Sequence, residues 1–502
     1  PEVSYLLTQR DRVRGIVLTH GHEDHTGGLP YLLPNLPVPV YGTALSLGLV
    51  QEKLREFDLA QSADLRTICA RDRLRLGGLE VEFVRVCHSI PDGVAVAVRT
   101  PAGLVIHTGD FKFDHTPVDG EVTDVQKFAE LGAEGVLALL SDSTNAGREG
   151  FTPSESSIGR TFEDLFRNAP RRLIVACFAS NIHRIQQVLD VARRLGKKVA
   201  VNGKSLAANL RIAGDLGYLR VPPETLVRLD ELQRLPPDHG VVITTGSQGE
   251  PLSAVARMAV GEHKQLVVQP GDTVIFSARV IPGNEQSIAR TVNQLLKRGA
   301  QVITEDTCPR VHVSGHPSQE ELKLMLRLTR PRFFVPVHGE YRHLCWHAEL
   351  ARQMGTPPDQ VFLLEDGDVL EITPNRGQVV GRVPAGRVLV DGKGVGDVGD
   401  AVLRDRQHLA QDGMVVVVIG FDKAGTVVAG PEIISRGFAD LMEGDALFEG
   451  ARKLIVEVLE GCSVEEKTDG TLVKQRIRSV LRRFLQKAVE RRPMILPVII
   501  AV

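Results

Sequence analysis

An α/β protein in which one unit is inserted into another is what this sequence predicts, on two observations. Several strand-like apolar runs end in a histidine or an aspartate, and the last of these arrives only after a long interval that has its own strand-helix repeat. Residues of that chemistry, gathered at strand ends along one sheet edge, are held rigidly and close together, which is where a preorganised site belongs.

The first run is the most informative. Gly15-Ile-Val-Leu-Thr-His-Gly-His-Glu-Asp-His25 passes from apolar residues into His20, His22, Asp24 and His25, four metal-ligand side chains within six residues. Alternate residues of an extended segment face the same way, so His20 and His22 can hold one cation while Asp24 and His25 turn toward a second. Two ions in such a geometry need about six or seven ligands. Later runs supply them: Val81-Glu-Phe-Val-Arg-Val-Cys-His88, Leu104-Val-Ile-His-Thr-Gly-Asp110 and Arg332-Phe-Phe-Val-Pro-Val-His338. One His or Asp at a strand end is more often a turn or satisfied core residue; it is the series that points to metal.

Between Asp110 and His338 the chain repeats strand then helix. Residues 172–178 lead into a helix over 182–195, residues 241–245 form another strand, and residues 273–277 lead into a helix over 285–297. That spacing predicts a parallel sheet with crossover helices, inserted into the unit that carries the ligands. A Gly/Pro/Val-rich passage from Pro374 to Asp400 reads as a linker, and beyond it lies a small α/β unit with a helix over 472–492. This helix carries Lys474, Arg476, Arg478, Arg482, Arg483, Lys487, Arg491 and Arg492, with Val473, Ile477, Val480, Leu481, Phe484, Leu485 and Ala488 at helical spacing. A solvated basic face over a packed stripe is preferred there to RNA contact. The stripe and the apolar runs mark the unit as a candidate for dimerisation.

Composition sets bounds. At 502 residues the chain is too long for one core and predicts about three domains. With 43% hydrophobic and 24% charged residues it reads as a soluble globular protein. A net charge of −2 excludes a wholesale polyanion binder, so contact with nucleic acid requires a local basic groove. Cys69, Cys87, Cys177, Cys308, Cys345 and Cys462 show no C-x-x-C spacing, which fits a reducing compartment and buried thiols. The runs Met414 to Ile419 and Met494 to Val502 are far shorter than the ~20 residues of a membrane span and read as buried strands.

His20-Gly-His-Glu-Asp-His25, His88, Thr108-Gly-Asp-Phe-Lys112 and Pro336-Val-His-Gly-Glu340 resemble the ligand motifs of the metallo-β-lactamase superfamily. Ser141-Asp-Ser-Thr-Asn145, His312-Val-Ser-Gly-His316 and His338 resemble the extra motifs of its β-CASP branch. Phe178-Ala-Ser-Asn-Ile-His-Arg184, Thr244-Thr-Gly-Ser-Gln-Gly-Glu-Pro251, Ile281-Pro-Gly-Asn-Glu285 and Arg492-Pro-Met-Ile-Leu-Pro-Val498 resemble bacterial ribonuclease J. The resemblance implies a metallo-β-lactamase αββα sandwich over residues 1–153 and 317–390, a parallel-sheet α/β β-CASP domain over 154–316, a linker over 391–403 and a C-terminal α/β domain over 404–502. The family has strands before its His-x-His-x-Asp-His motif, whereas here the motif begins at residue 20 and residue 1 is not Met. The chain is therefore expected to lack its first strands, and no signal peptide is visible.

By the resemblance, His20, His22 and His88 hold one metal, Asp24, His25 and His338 the other, and Asp110 bridges them. Imidazole and carboxylate donors without thiolate suggest zinc, with manganese the competing ion. Asp24 is placed to orient a water, His316 to act as general acid or phosphate clamp, and Asp142 to orient His316. Ser180, Asn181, His183 and Arg184 fall at a strand-to-helix junction, where backbone N–H groups favour anions. Ser247, Gln248 and Gly249 follow another strand, and His312, Ser314 and Gly315 precede His316. Together they suggest a phosphate-tracking channel. The expected function is a cytoplasmic ribonuclease with 5′-to-3′ exonuclease and endonuclease activity on RNA with a 5′-monophosphate end, acting as a homodimer away from membranes. The rivals are a β-CASP DNA nuclease, a small-molecule hydrolase on the same dimetal core, and a non-catalytic RNA scaffold.

Overall fold

The computed structural model describes residues 2–391, 394–395, 399–422, 426–438, 445–462 and 470–501. It divides into two compact units, Pro1–Arg387 and Val388–Val502.

The first unit contains two facing sheets. A parallel sheet of three described strands, Ile16–Val17, Val40–Gly42 and Leu65–Thr67, faces a six-stranded sheet in the order Phe333–Val337, Val136–Asp142, Gly103–His107, Val94–Thr100, Leu79–Arg85, Arg73–Leu76. Tyr41 and Ile68 meet Val81, Phe83, Val94 and Val96 between them. The helix Ala44–Glu56 covers the outside of the smaller sheet through Leu47, Val50 and Leu54. On the outside of the larger sheet, helices Val125–Glu134, Gln319–Thr329 and Tyr341–Gln353 pack Phe128, Leu131, Met325, Leu326 and Ala348 against Ile106, Leu139 and Phe334. This is an αββα sandwich, and its central strands are buried on both faces, which is why Val136-Leu-Ala-Leu-Leu140 reads as an unbroken apolar run.

The insertion has a five-stranded parallel sheet in the order Lys198–Asn202, Gly240–Thr244, Leu173–Ala176, Thr273–Phe276, Gln301–Ile303. One face buries Phe162, Ile185, Val188, Leu189 and Leu206, the other Val255, Met258, Leu266 and Leu295. The helix Glu285–Lys297 has the expected bounds; strands Lys198–Asn202 and Gln301–Ile303 were not anticipated, because each is short and opens on a polar residue. The excursion begins after Val136–Asp142 and returns at Phe333–Val337, and these two strands pair in parallel with Val337 opposite Asp142.

The second unit has a three-stranded sheet with Met414–Phe421 in the middle, antiparallel to Val427–Arg436 and parallel to Met494–Ala501. Helices Asp445–Glu460 and Gly470–Val489 cover one face, where Val473, Ile477, Leu481 and Leu485 meet Val415, Val417, Ile419 and Phe448. Three expectations change here. The terminal-helix stripe is spent inside the unit and is not free for a partner. The apolar runs from Met414 and Met494 are buried on one face only, leaving Val428, Ile434, Leu496 and Ile500 exposed on the other; Val502 lies outside the described residues. The expected linker is largely ordered into elements: Gly377–Arg382 pairs with Asp368–Ile372, and a helix starts at Asp400, while residues 392–393 and 396–398 lie outside the described residues.

All six cysteines are unpaired; Cys87, Cys177 and Cys462 are buried, whereas Cys69 is exposed and Cys308 and Cys345 are half-buried, contrary to the expectation of uniform burial. Among the described residues no helix is long and apolar enough to cross a membrane.

Candidate metal centre and its surroundings

The ligand-rich motif is not an extended strand. The strand ends at Val17, and Glu23–Thr26 is a short helix with His22 at its N-cap. A turn into a helix, rather than strand alternation, therefore separates the two pairs. His20 and His22 face His88, at the end of the run that includes Leu79–Arg85, while Asp24 and His25 face His338, just beyond Phe333–Val337. Among the described residues three overlapping groups of ligand atoms result, His20, His22, His88 and Asp110; Asp24, His25, Asp110 and His338; and Asp110, Asp142, His316 and His338, each with its atoms within 4.8 Å of one another. Asp110 belongs to all three: its Oδ2 lies 3.7 Å from His20 Nε2, 3.8 Å from His88 Nε2, 3.4 Å from His25 Nε2 and 3.5 Å from His338 Nε2.

The donor set fits a pair of divalent cations. His22 Nδ1 lies 3.0 Å from His20 Nε2 and 3.1 Å from His88 Nε2. Three imidazole nitrogens cannot all hydrogen-bond one another, whereas nitrogens ligating one tetrahedral zinc at about 2.0–2.1 Å would stand only slightly farther apart. His88 Nδ1 donates to the Gly315 carbonyl at 2.7 Å, which directs the Nε2 lone pair into the cluster. A Cβ at Gly315 would lie 2.7 Å from that ring, so only glycine permits the contact. Buried His25 Nε2 and Asp110 Oδ1 have no hydrogen-bond partner, as expected of atoms shaped for an ion.

Protonation follows position. Burial pushes His20 and His88 well down and His22 to about 4, so these imidazoles are neutral ligands at neutral pH. Burial also pulls on His338, but the Asp142 and Asp24 carboxylates outweigh it and raise it to about 11. His338 sits at φ 56°, a left-handed conformation unusual for a side-chain-bearing residue, braced by Thr144 Oγ1 at 2.9 Å from its Nδ1.

Beside the cluster, His316 Nδ1 donates to Asp142 Oδ2 at 2.7 Å. Burial lowers the imidazole, and the buried Asp142 charge more than offsets this, so His316 is raised and carries its proton more readily. Asp142 Oδ1 accepts from Thr144 N and Oγ1, which orients the carboxylate. The backbone of His316 is fixed by Asn145 Nδ2, at 3.1 Å from its carbonyl, and by Thr152 Oγ1 at 2.8 Å.

Several expected substrate contacts are engaged elsewhere. Arg184 is fully buried: it grips Glu155 through two nitrogens at 2.8 and 3.1 Å and donates to Ser277 O and Oγ. The Asn181 side chain caps the helix Ile182–Arg194 by accepting from Arg184 N, so that amide is not free for an anion. His183 Nε2 pairs with Asp119 Oδ2 at 3.1 Å. Gln248 holds Arg279 O and Ile281 N, and Ser247 and Gly249 are buried. These residues brace loops; a charged or amide side chain beside a strand end looks the same in sequence whether it faces solvent or a neighbouring segment. Ser180 stays half-buried, Ser314 Oγ accepts from Asn145 Nδ2 at 2.9 Å, and His312 Nδ1 is buried without a partner.

Sequence reasoning missed Thr144, Asn145, Thr152, Glu321 and His347. Glu321 is wholly buried, and its carboxylate accepts from Phe113 N, Thr152 N and Ser318 N, tying the Asp110 loop to the His316 loop. Only its capping-box spacing after Ser318 was a signal.

The comparisons with known proteins cover the chain. The family described as "Beta-lactamase superfamily domain" matches residues 3–150, "Ribonuclease J, beta-CASP domain" matches 170–295, "Zn-dependent metallo-hydrolase RNA specificity domain" matches 309–363, and "Ribonuclease J C-terminal domain" matches 401–502. Ribonuclease J2 of Bacillus subtilis is 44% identical over 100% of this chain and 90% of its own length. Ribonuclease J of Thermus thermophilus is 45% identical over 100% of this chain and 87% of its own, and that of Synechocystis is 42% identical over 99% and 79%. A crystal structure of a protein of unknown function from Enterococcus faecalis V583 superimposes with TM-score 0.52 over 73% of this chain and 81% of that one; at 16% identity this likeness concerns the fold alone.

His347 generates a prediction. Fully buried, with Nδ1 2.9 Å from Ser143 Oγ beneath the Asp142 turn, it is pushed by burial from 6.5 to about 3. The unfolded chain binds this proton first, so the stability His347 contributes is intact above pH 6.5 and is lost as pH falls toward 3, by about 1.4 kcal/mol per pH unit. His347→Phe should flatten the acid limb of stability by that slope, measured by denaturant unfolding between pH 4 and 7 in chelator. An unchanged limb would show that the imidazole does not titrate this way.

Proposed function

The chain belongs to the ribonuclease J family, and from that premise we propose that it cuts RNA phosphodiester bonds at the His/Asp cluster, with His316 and Asp142 serving the leaving group. It is a metal-dependent ribonuclease. The single observation that supports this assignment of roles is the 2.7 Å His316–Asp142 pair beside two donor groups that share Asp110.

His20, His22, His88 and Asp110 would hold one ion and Asp24, His25, His338 and Asp110 the other, zinc being favoured by the imidazole-rich set and manganese the competitor. When bound, such a pair supplies Lewis acidity toward a phosphodiester and makes water a better nucleophile at neutral pH. The chain's own groups do the rest. Asp142 fixes the His316 ring so that Nε2 faces the reacting phosphate, and the raised imidazolium gives its proton to the departing 3′-oxygen. The Asp24 carboxylate, held well below the ordinary range by the His338 imidazole 3.6 Å away, stays ionised and can orient or accept a proton from the attacking water. Ser314, Gly315 and His312 line the approach as phosphate contacts.

The finer reading is 5′-to-3′ exonucleolytic and endonucleolytic cleavage of RNA carrying a 5′-monophosphate, in the cytoplasm, by a homodimer. The open sheet face of the terminal unit, with Val428, Ile434, Leu496 and Ile500 exposed, supports the last point, since such a patch is costly in water. Leu496→Asp should then yield a monomer by light scattering; an unaltered particle mass would remove that face from the interface.

The decisive assay offers matched RNA and DNA oligonucleotides with 5′-hydroxyl, monophosphate or triphosphate ends. RNA with a monophosphate should be cut fastest, and equal cleavage of DNA would favour the DNA-nuclease reading. In the same assay, His22→Ala should lose about one equivalent of metal and nearly all cleavage. His316→Ala should keep both metals yet fall in rate by about 10² to 10⁴, with relief on a nitrophenyl phosphodiester whose leaving group needs no proton. Loss of metal from the His316 variant would make it a ligand instead.

A further inference from the structure

The chain has a single tryptophan, and 46% of it is exposed. Indoles are mostly buried because their apolar area is large, so one left in water asks for a reason. Trp346 lies in the helix Tyr341–Gln353, which begins three residues after His338. Its ring rests on Gly147: a Cβ there would lie 2.6 Å from Cζ3, so any side chain at 147 would dislodge the indole. Gly147 belongs to the turn that follows Asp142. Two residues earlier, Asn145 donates to Ser314 Oγ and His316 O and accepts from Arg279 at 3.3 Å. The indole is thus seated on the same short segment that steadies His316.

The charges around it are unbalanced. Arg148 directly follows Gly147; Glu305 acts on it only from beyond ion-pair distance, and among the described residues neither Arg148 nor Arg279 has a carboxylate within that distance. Burial and then the Arg279 charge hold the Arg148 guanidinium below its usual value, so the two cations are close enough to repel. Buried His312 Nδ1, which has no hydrogen-bond partner, lies within the field of both. An aromatic face next to unpaired guanidiniums is the chemistry that grips a single-stranded polynucleotide: bases stack on the ring and phosphates sit between the cations, with little regard to sequence.

We propose that Trp346, Arg148 and Arg279 form a landing platform for single-stranded RNA at the rim of the cleavage site, with a base stacked on the indole and a flanking phosphate between the guanidiniums. This rests on the ribonuclease reading above. Because Trp346 is the sole tryptophan, its emission reports on the platform directly.

The test titrates the full chain, in chelator so that nothing is cut, with single-stranded RNA and with duplex RNA of the same length. Single-stranded RNA should quench or shift the emission saturably, and the duplex should do so far less. Trp346→Ala should weaken single-strand binding by about tenfold or more, Trp346→Phe should restore most of it, and in cleavage the loss should fall on KM rather than kcat. Arg148→Glu, which keeps the reporter, should weaken the quench and reduce its dependence on salt. A wild-type chain that binds and cuts RNA with unchanged emission, or a Trp346→Ala variant with wild-type KM, overturns the platform while leaving the ribonuclease reading in place. A chain that neither binds nor cuts RNA sinks both. Emission that responds to protein concentration but not to RNA assigns the surface to a second copy of the chain and also overturns the proposal.

Discussion

The site depends on one pairing: the parallel register that sets Val337 opposite Asp142. Thr144 and His338 are 194 residues apart in sequence, yet that register brings Thr144 Oγ1 within 2.9 Å of His338 Nδ1. With it come both oxygens of Asp142, one for Thr144 and one for His316. A slip of one residue would turn every side chain beyond the strand ends to the opposite face. The ladder is held by Phe333, Phe334 and Val335 against Ala138 and Leu139, all buried, so the core that stabilises the sandwich also fixes the ligand geometry.

A second constraint follows from burying so many charges. Asp110, Asp142, Lys112, Asp114, Glu155, Arg184 and Glu321 are all nearly inaccessible. Unpaired, any one of them would cost several kcal/mol. Most have a partner that belongs to another segment: Lys112 donates to Pro153 O at 3.2 Å, Asp114 accepts from Glu155 N at 2.9 Å, Glu155 meets Arg184, and Glu321 gathers three backbone N–H groups. Arg184 reaches through Ser277, whose hydroxyl donates to Val311 O, toward the loop that ends in His316. The insertion itself is joined to the sandwich by other directional polar bonds, Glu155 N to Asp114 Oδ2 at 2.9 Å, His183 Nε2 to Asp119 Oδ2 at 3.1 Å and Thr152 Oγ1 to the His316 carbonyl at 2.8 Å. Such bonds hold a reacting group to a fraction of an ångström, which apolar packing alone does less well.

How much of this was legible follows from the range of each interaction. His20, His22, His88, Asp110 and His338 follow apolar strand-like runs, so the local pattern together with the motif resemblance was enough to single them out, although His20 and His22 lie in a turn beyond the two-residue strand Ile16–Val17. The helix 285–297 was legible for the same reason. Arg184 and Gln248 are engaged inside the insertion and His183 pairs with Asp119 of the sandwich, which the sequence did not show because a polar residue after a strand has the same local signature whether it meets solvent or another segment. The terminal helix was correctly read as a packed stripe, but its partner was misjudged: the stripe meets its own sheet, and the open apolar surface lies on the sheet's other face.

The sequence by itself determined the chemistry: which donors exist, how they are spaced, and that apolar strand-like runs precede them, because residue type and local period are properties of short segments. Only the tertiary structure decided how the donors gather into overlapping groups around Asp110, which histidine receives Asp142, and which polar residues are spent on bracing loops and domains. Those outcomes depend on strand register and burial across nearly two hundred intervening residues, and no local pattern encodes a distance of that kind.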